Sequence, residues 1–145
     1  MRSTSRVPRR NKRNQHLSHV APVHRKPAAL IVDDDVGLIF WVGEIFVRAG
    51  WNIVPALNCR QAVSLAVMWD SHINLILVNS GLGGISEMVE TLSDLHRPKV
   101  VVIRDPNVEP EISADAIVDR PGMETPLARL EWAQRFQKLL KELIQ

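Results

Sequence analysis

Acidic and amide side chains follow two apolar runs of the chain, and they are the residues best suited to bind a metal ion or a phosphoryl group. The acidic triplet Asp33–Asp35 comes directly after the run 28–32, and Asn79 comes after the run 75–78. Carboxylates supply the hard oxygen ligands that Mg²⁺ prefers, and they can act as nucleophiles. The amide of Asn79 cannot act as a nucleophile, because it is uncharged and its nitrogen lone pair is delocalised into the carbonyl.

The elements that must position these side chains alternate between strand and helix. Apolar runs predict five strands, at 28–33, 51–55, 74–79, 99–103 and 116–118. Helical periodicity predicts four helices, at 36–48, at 58–69, after a cap at Ser86, and from Pro126 onward. This alternation favours right-handed crossovers and a parallel sheet. The strand ends that carry Asp33 and Asn79 should then lie at the same edge of the sheet.

Local signals mark the ends of several of these helices. Asn58 with Gln61 resembles a capping box. Thr125 followed by Pro126 is typical of an N-cap and a first helical position. Gly50 is expected to end the first helix.

The connection between the fourth and fifth strands is unusually short. Only residues 105–119 separate Arg104 from Arg120, and they include Pro106 and Pro110. A crossover that contains a helix needs roughly 10–12 residues. The fourth helix of a five-helix alternating pattern, the one that would join the fourth and fifth strands, is therefore predicted to be shortened.

Charge divides the chain of 145 residues into two parts. Residues 1–27 hold eight of the 18 basic residues and none of the 16 acidic ones, which leaves ten basic and sixteen acidic residues in 28–145, a net of −6. So polar a segment cannot bury enough apolar surface to offset its ordering entropy. We predict a disordered basic tail over 1–27 and one domain over 28–145.

Cysteine content and hydropathy bear on the compartment. The single Cys59 cannot form an internal disulfide, which is typical of a reducing compartment. No apolar run approaches the length of a membrane span. A cytoplasmic location is therefore expected.

Together, the acids after the first strand, the strand that ends at Asn79, and the Arg120-Pro121 pair resemble the receiver domain of bacterial response regulators, the chemotaxis-regulator-like family. The resemblance covers residues 28–145. It implies a flavodoxin-like (βα)5 doubly wound parallel sheet with strand order 2-1-3-4-5. Strands one and three are then neighbours at the point where ligands bind in such sheets.

The resemblance also implies roles from which this chain departs at four positions. In the family, acids at Asp33 and Asp34 hold Mg²⁺, an aspartate accepts phosphate, a Ser or Thr and an aromatic residue relay the switch, and a lysine precedes the proline. This chain has Asn79 in place of the phosphate-accepting aspartate and Arg104 in place of the Ser or Thr. It has Ile117 in place of the aromatic residue and Arg120 in place of the lysine. A degenerate pseudo-receiver is expected, with a non-functional acceptor position and weak or absent Mg²⁺ binding. No cofactor is expected.

The resemblance suggests two arrangements for the site. In one, Arg104 and Arg120 face Asp33 and Asp34 and occupy the space of metal and phosphate. In the other, the acids cap the first helix and interact with its dipole. Pro121 agrees with the family, and a cis Arg120–Pro121 bond is expected.

The expected function is that of a stand-alone receiver-like protein of a two-component or phosphorelay system, acting through protein contacts and not as an enzyme. Expected partners are a histidine kinase, another response regulator or a regulated enzyme. The last helix and fifth strand are the contact face that the family suggests.

Three alternatives stay open. The basic tail could bind nucleic acid through counterion release. The acidic triplet contains the Asp-x-Asp of haloacid-dehalogenase-like phosphatases, although Gly37 stands where that motif has Thr or Val. Residual phosphotransfer at Ser80 or Asp34 is the third.

Overall fold

The computed structural model describes residues 25–69, 71–110 and 112–144. Its strands are β1 (Ala28–Val32), β2 (Asn52–Ala56), β3 (Leu75–Asn79), β4 (Lys99–Arg104) and β5 (Ala116–Asp119). Its helices are α1 (Val36–Arg48), α2 (Cys59–Met68), α3 (Ile85–His96) and α4 (Pro126–Ile144). The tail predicted over 1–27 lies almost entirely outside the described residues, and its disorder stays a prediction.

All five strands are parallel and follow the order β2-β1-β3-β4-β5, as predicted. Every residue of β1 and β3 is buried, because helices cover both faces of the central strands. The register pairs Val32 with Val78. The residues that follow this pair in the chain, Asp33 and Asn79, therefore lie at the same edge of the sheet.

Two apolar layers hold the helices against the sheet. On one face, α1 and α4 pack over a cluster centred on Phe46, whose ring makes edge-on contacts with Trp51 and Phe136. On the other face, α2 and α3 cover a second cluster that includes Met88 and Leu92. This double covering makes the central part of the sheet a rigid support for the residues at its edge.

Most helix ends agree with the sequence signals. Asn58 Oδ1 accepts a hydrogen bond from Gln61 N–H at 2.8 Å, and Gln61 Oε1 accepts one from Leu57 N–H at 2.7 Å. Thr125 Oγ1 likewise accepts from Ala128 N–H at 3.1 Å. The prediction that Ser86 caps α3 is wrong.

Helix α3 begins earlier than predicted, because glycine supplies the turn that precedes it. Gly84 occupies the N-cap position with φ of 81°, and the helix starts at Ile85. Glycine adopts such a left-handed conformation without the steric cost that a side chain brings. Ser86 therefore lies inside the first turn.

The connection between β4 and β5 is short, but the shortened fourth helix predicted there is not present in its described residues, 105–110 and 112–115. Asp115 fastens its end, because Asp115 Oδ2 accepts a hydrogen bond from Val100 N–H at 2.7 Å. All described peptide bonds are trans. The expected cis Arg120–Pro121 bond is wrong, and trans is the isomer favoured by about 0.5–1 kcal/mol before proline.

None of the helices in the described part of the chain is both long and apolar enough to cross a membrane.

Candidate functional site

The carboxylate of Asp33 and the amide of Asn79 meet at the carboxyl edge of the sheet. Asp33 is 1% exposed and Asn79 is 6% exposed. The Asn79 amide nitrogen donates to Asp33 Oδ1 at 3.4 Å, and Asn79 Oδ1 accepts from Gly81 N–H at 2.9 Å. A carboxylate can only accept and a backbone N–H can only donate, so these two partners determine which way the amide points. Its oxygen is therefore directed away from Asp33.

Burial dominates the electrostatics of Asp33. The loss of water around this carboxyl raises its pKa, against the lowering effects of the Asp35 N–H, the Asn79 amide and the Arg120 charge. Asp33 Oδ1 accepts from Asp35 N–H at 2.9 Å, whereas Oδ2 has no hydrogen-bond donor among the described residues. Oδ2 forms an ion pair with a guanidinium nitrogen of Arg120, at 3.5 Å.

Asp35 is a site residue for which the sequence predicted no role separate from that of the triplet. It is the N-cap of α1, and its Oδ1 accepts a hydrogen bond from Leu38 N–H at 3.1 Å. Its other oxygen, Oδ2, accepts one from a guanidinium nitrogen of Arg120 at 2.9 Å. The Leu38 hydrogen bond is the largest cause of the lowered pKa of Asp35, and Arg120 adds to it. The helix-capping interpretation named Asp33 and Asp34, whereas the acid that caps α1 is Asp35. An aspartate just before a helix is the signal that could have identified it.

Arg120 brings the two acids together. Its guanidinium contacts both Asp33 and Asp35, and its side chain is 32% exposed. Asp34, the predicted second partner, is exposed and forms no ion pair with a described residue. The predicted contact of Arg120 with Asp33 is present, and the second acid that Arg120 contacts is Asp35 instead of Asp34.

The predicted pairing of Arg104 with the acids after β1 is wrong. The register of β4 and β5 places Arg104 beside Asp119, and the two side chains form a 2.6 Å ion pair at the surface. Residues opposite each other on neighbouring strands interact because their side chains leave the sheet on the same face. Asp119, one residue before Arg120, was not identified from the sequence.

The remaining predicted positions lie around this centre. Ser80 is buried, and its hydroxyl oxygen accepts from Asp105 N–H at 2.8 Å, which ties the ends of β3 and β4 together. Pro121 is buried. Ile117 is 49% exposed on the edge strand β5. Ser80 thus serves a structural hydrogen bond, and Ile117 belongs to the outer surface.

This donor set does not suit Mg²⁺. The cation prefers several oxygen ligands in octahedral geometry, but Asn79 directs its nitrogen toward Asp33, and Arg120 lies against the free oxygen of that carboxylate. Among the described residues, no group of three or more His, Cys, Asp or Glu side chains is arranged to hold a metal ion. The arrangement instead compensates two carboxylates with one guanidinium.

We expect the Asp33→Asn variant to be more stable than the wild type at pH 7, by about 0.5–2 kcal/mol. The raised pKa of Asp33 means that its ionisation opposes folding, and this cost appears as the pH rises above the unfolded value of 3.8. Below that value both states are protonated, so the two proteins should converge. Urea unfolding at pH 3 and pH 7 measures the difference, with Asp34→Asn, an exposed neighbour, as the control. An equal loss of stability at both pH values would contradict this account of Asp33.

Structural comparison relates this fold to solved receiver domains. It matches the CheY-like response regulator receiver domain protein from Methanospirillum hungatei JF-1 with a TM-score of 0.60 and 20% identity, over 82% of this chain and 97% of that chain. A response regulator from Thermotoga maritima matches with a TM-score of 0.62 and 16% identity, over 83% and 98%. A chain from the complex of the P1 domain of CheA3 with CheY6 from R. sphaeroides matches with a TM-score of 0.61 and 21% identity, over 81% and 99%.

These comparisons confirm that the chain has the CheY-like receiver fold predicted from its sequence. No protein-family model matches the sequence, and no curated protein matches it.

Proposed function

We propose that this receiver-fold chain is a degenerate receiver in a phosphorelay or two-component pathway, and that it acts through protein contacts without forming an acyl phosphate. The observation that carries the proposal is the Arg120 guanidinium, which contacts both Asp33 and Asp35, while the other oxygen of Asp33 accepts from the Asn79 amide. In this arrangement the protein supplies its own cation where a receiver would need a metal ion.

Chemistry at residue 79 supports the loss of phosphoryl transfer. Acceptance of a phosphoryl group requires an ionised nucleophile or one activated by a base. The Asn79 amide is neither, and its oxygen already accepts the Gly81 N–H. Ser80 is an unsuitable replacement, since it is buried and its oxygen accepts the Asp105 N–H. A phosphatase function at the acids after β1 also lacks support, because Arg120 forms ion pairs with both Asp33 and Asp35.

The outer surface of β5 and α4 supports the proposal of protein contacts. Ile117, Leu127 and Leu130 are apolar residues that are each about half exposed or more, and exposed apolar groups on neighbouring elements are typical of interaction sites. In the R. sphaeroides complex, a receiver-fold protein is solved with the P1 domain of CheA3. By analogy, a histidine kinase domain, another response regulator or a regulated enzyme is the class of partner proposed here.

The proposal predicts that the wild-type protein does not respond to Mg²⁺ with beryllofluoride, which mimics a bound phosphoryl group. A ligand at 100 times its Kd would add about 2.7 kcal/mol to the free energy of unfolding. We therefore expect no shift in the midpoint of thermal unfolding on adding both reagents, and no phosphoryl mass increase after incubation with acetyl phosphate. A saturable rise in the midpoint, or a labile phosphoryl adduct, would show that the site still binds or transfers phosphate.

A further inference from the structure

A groove lies where the described β4–β5 connection has no helix. It is bounded by the β3–α3 loop, the first turn of α3 and the β4–β5 connection, and its volume is about 420 Å³. The apolar side chains that line it are Leu82, Ile85, Val102, Val108, Pro110 and Ile112. These side chains form the apolar floor of the groove, and polar groups supply about as much of its surface. The volume accommodates two or three small side chains.

The surroundings of this groove are acidic. Glu87 lines it, and among the described residues no lysine, arginine or histidine does. The Asp105 carboxylate lies beside the glycine loop, 3.4 Å from where a Cβ on Gly81 would stand. Glu109 is exposed and lies in the chain between two lining residues. An apolar floor with an anionic rim suits a short peptide that carries cations on either side of apolar residues.

We propose that this groove binds the N-terminal segment of the same chain through residues 6–10. That stretch reads Arg-Val-Pro-Arg-Arg, which places an apolar pair between cations, and residues 1–27 contain no acid. Val7 and Pro8 would contact the apolar floor. The flanking arginines would lie beside Glu87 and Glu109.

Chain length permits this contact within one molecule. Residues 11–24 separate Arg10 from Arg25, the first described residue. Fourteen residues span at most roughly 46–50 Å when extended, whereas a domain of this size has a radius of gyration of about 13 Å. Tethering also gives an effective concentration of order mM. A contact too weak to form between separate molecules at micromolar concentration can then be occupied within one chain.

A spin label placed on the full chain tests the contact. In Ser5→Cys the label attaches selectively at residue 5, because Cys59 is 5% exposed and burial raises the pKa of its thiol. In ¹⁵N-labelled protein, we expect the amide signals of residues 81–84 and 108 to lose about half their intensity or more at ~50 mM salt. They should recover at ~500 mM salt, because the ion pairs are exposed to screening.

Paired charge reversals supply the matched control. Glu87→Lys with Glu109→Lys should abolish the broadening, while Glu131→Lys with Glu142→Lys on α4 changes the net charge equally and should leave it intact. Spectra of the unlabelled variants show whether the fold is retained. Broadening that survives the groove reversal or high salt, or that falls on α4, would overturn the proposal.

A mixed sample separates the two possible sources of the segment. Spin-labelled ¹⁴N protein is added to unlabelled ¹⁵N protein, so that only contacts between molecules broaden the signals. The proposal expects no broadening in this mixture. Broadening equal to that of the singly labelled chain would show that the groove receives the segment of a second copy, and would overturn the contact within one chain.

Discussion

Replacing Arg120 with glutamine is expected to lower the free energy of unfolding at pH 7 by about 2–4 kcal/mol. The change leaves the Asp33 carboxylate without its nearest countercharge, and Asp33 Oδ2 has no hydrogen-bond donor among the described residues. Breaking a fully buried ion pair costs about 3–5 kcal/mol. We reduce that range because the Arg120 side chain is itself 32% exposed. Urea unfolding followed by tryptophan fluorescence measures the loss.

A second substitution tests the reason for this loss. Asp33→Asn removes the buried charge, so the Arg120→Gln/Asp33→Asn double variant should recover much of the stability. The matched control is Arg104→Gln, which breaks the shorter but exposed pair with Asp119. Solvent screens exposed ion pairs, which therefore contribute little to stability, so the control should lose little despite its 2.6 Å distance. Equal losses in the two arginine variants would contradict the assignment of Arg120 to a buried charge.

The Asn79→Asp variant is expected to be less stable than the wild type in the absence of metal, by about 1–3 kcal/mol at pH 7. Two carboxylates would then lie about as close as the present 3.4 Å contact between Asn79 and Asp33, in a site with almost no exposure. Like charges at that distance disfavour ionisation of one member of the pair. A divalent cation would relieve this repulsion, so the variant should gain stability on adding Mg²⁺.

The size of that gain follows from mass action. At ~10 mM Mg²⁺ and a Kd of ~1 mM, binding adds about 1.4 kcal/mol to the free energy of unfolding. The wild type should show no comparable gain, and neither should Asn58→Asp, which adds the same charge at the exposed cap of α2. Thermal unfolding with and without Mg²⁺ measures all three proteins. If the wild type gained as much as Asn79→Asp, residue 79 would not be what prevents metal binding.

The parallel sheet and most helix boundaries were predictable because their signals are local, whereas the strand order was implied only by the receiver resemblance. Continuous apolar runs in β1 and β3 indicate central strands covered on both faces, and the caps at Asn58 and Thr125 require only neighbouring residues. The start of α3 was missed for a local reason as well. Gly84 provides the left-handed turn there. The Ser80–Gly84 loop contains more than one glycine, and the sequence does not show which of them adopts the left-handed conformation.

The partners of the arginines were only partly predictable. Strand-end positions placed Arg104 and Arg120 near the site, but the neighbour of each depends on register and on the direction of the side chain. Arg104 lies opposite Asp119 on the neighbouring strand, and Arg120 reaches back across 85 residues of sequence to Asp35 and also contacts Asp33. A pattern of residue types does not specify such long-range pairs.

The sequence by itself determined the parallel sheet, the edge at which Asp33 and Asn79 meet, and the absence of a carboxylate at residue 79. These follow from apolar periodicity and from side-chain identity, both of which are properties of short segments. Only the tertiary structure decided that Asp35 joins the site, that Asn79 directs its nitrogen toward Asp33, and that Arg120 serves both acids. Those outcomes depend on burial and on distances between segments far apart in the chain, which folding sets and local pattern does not.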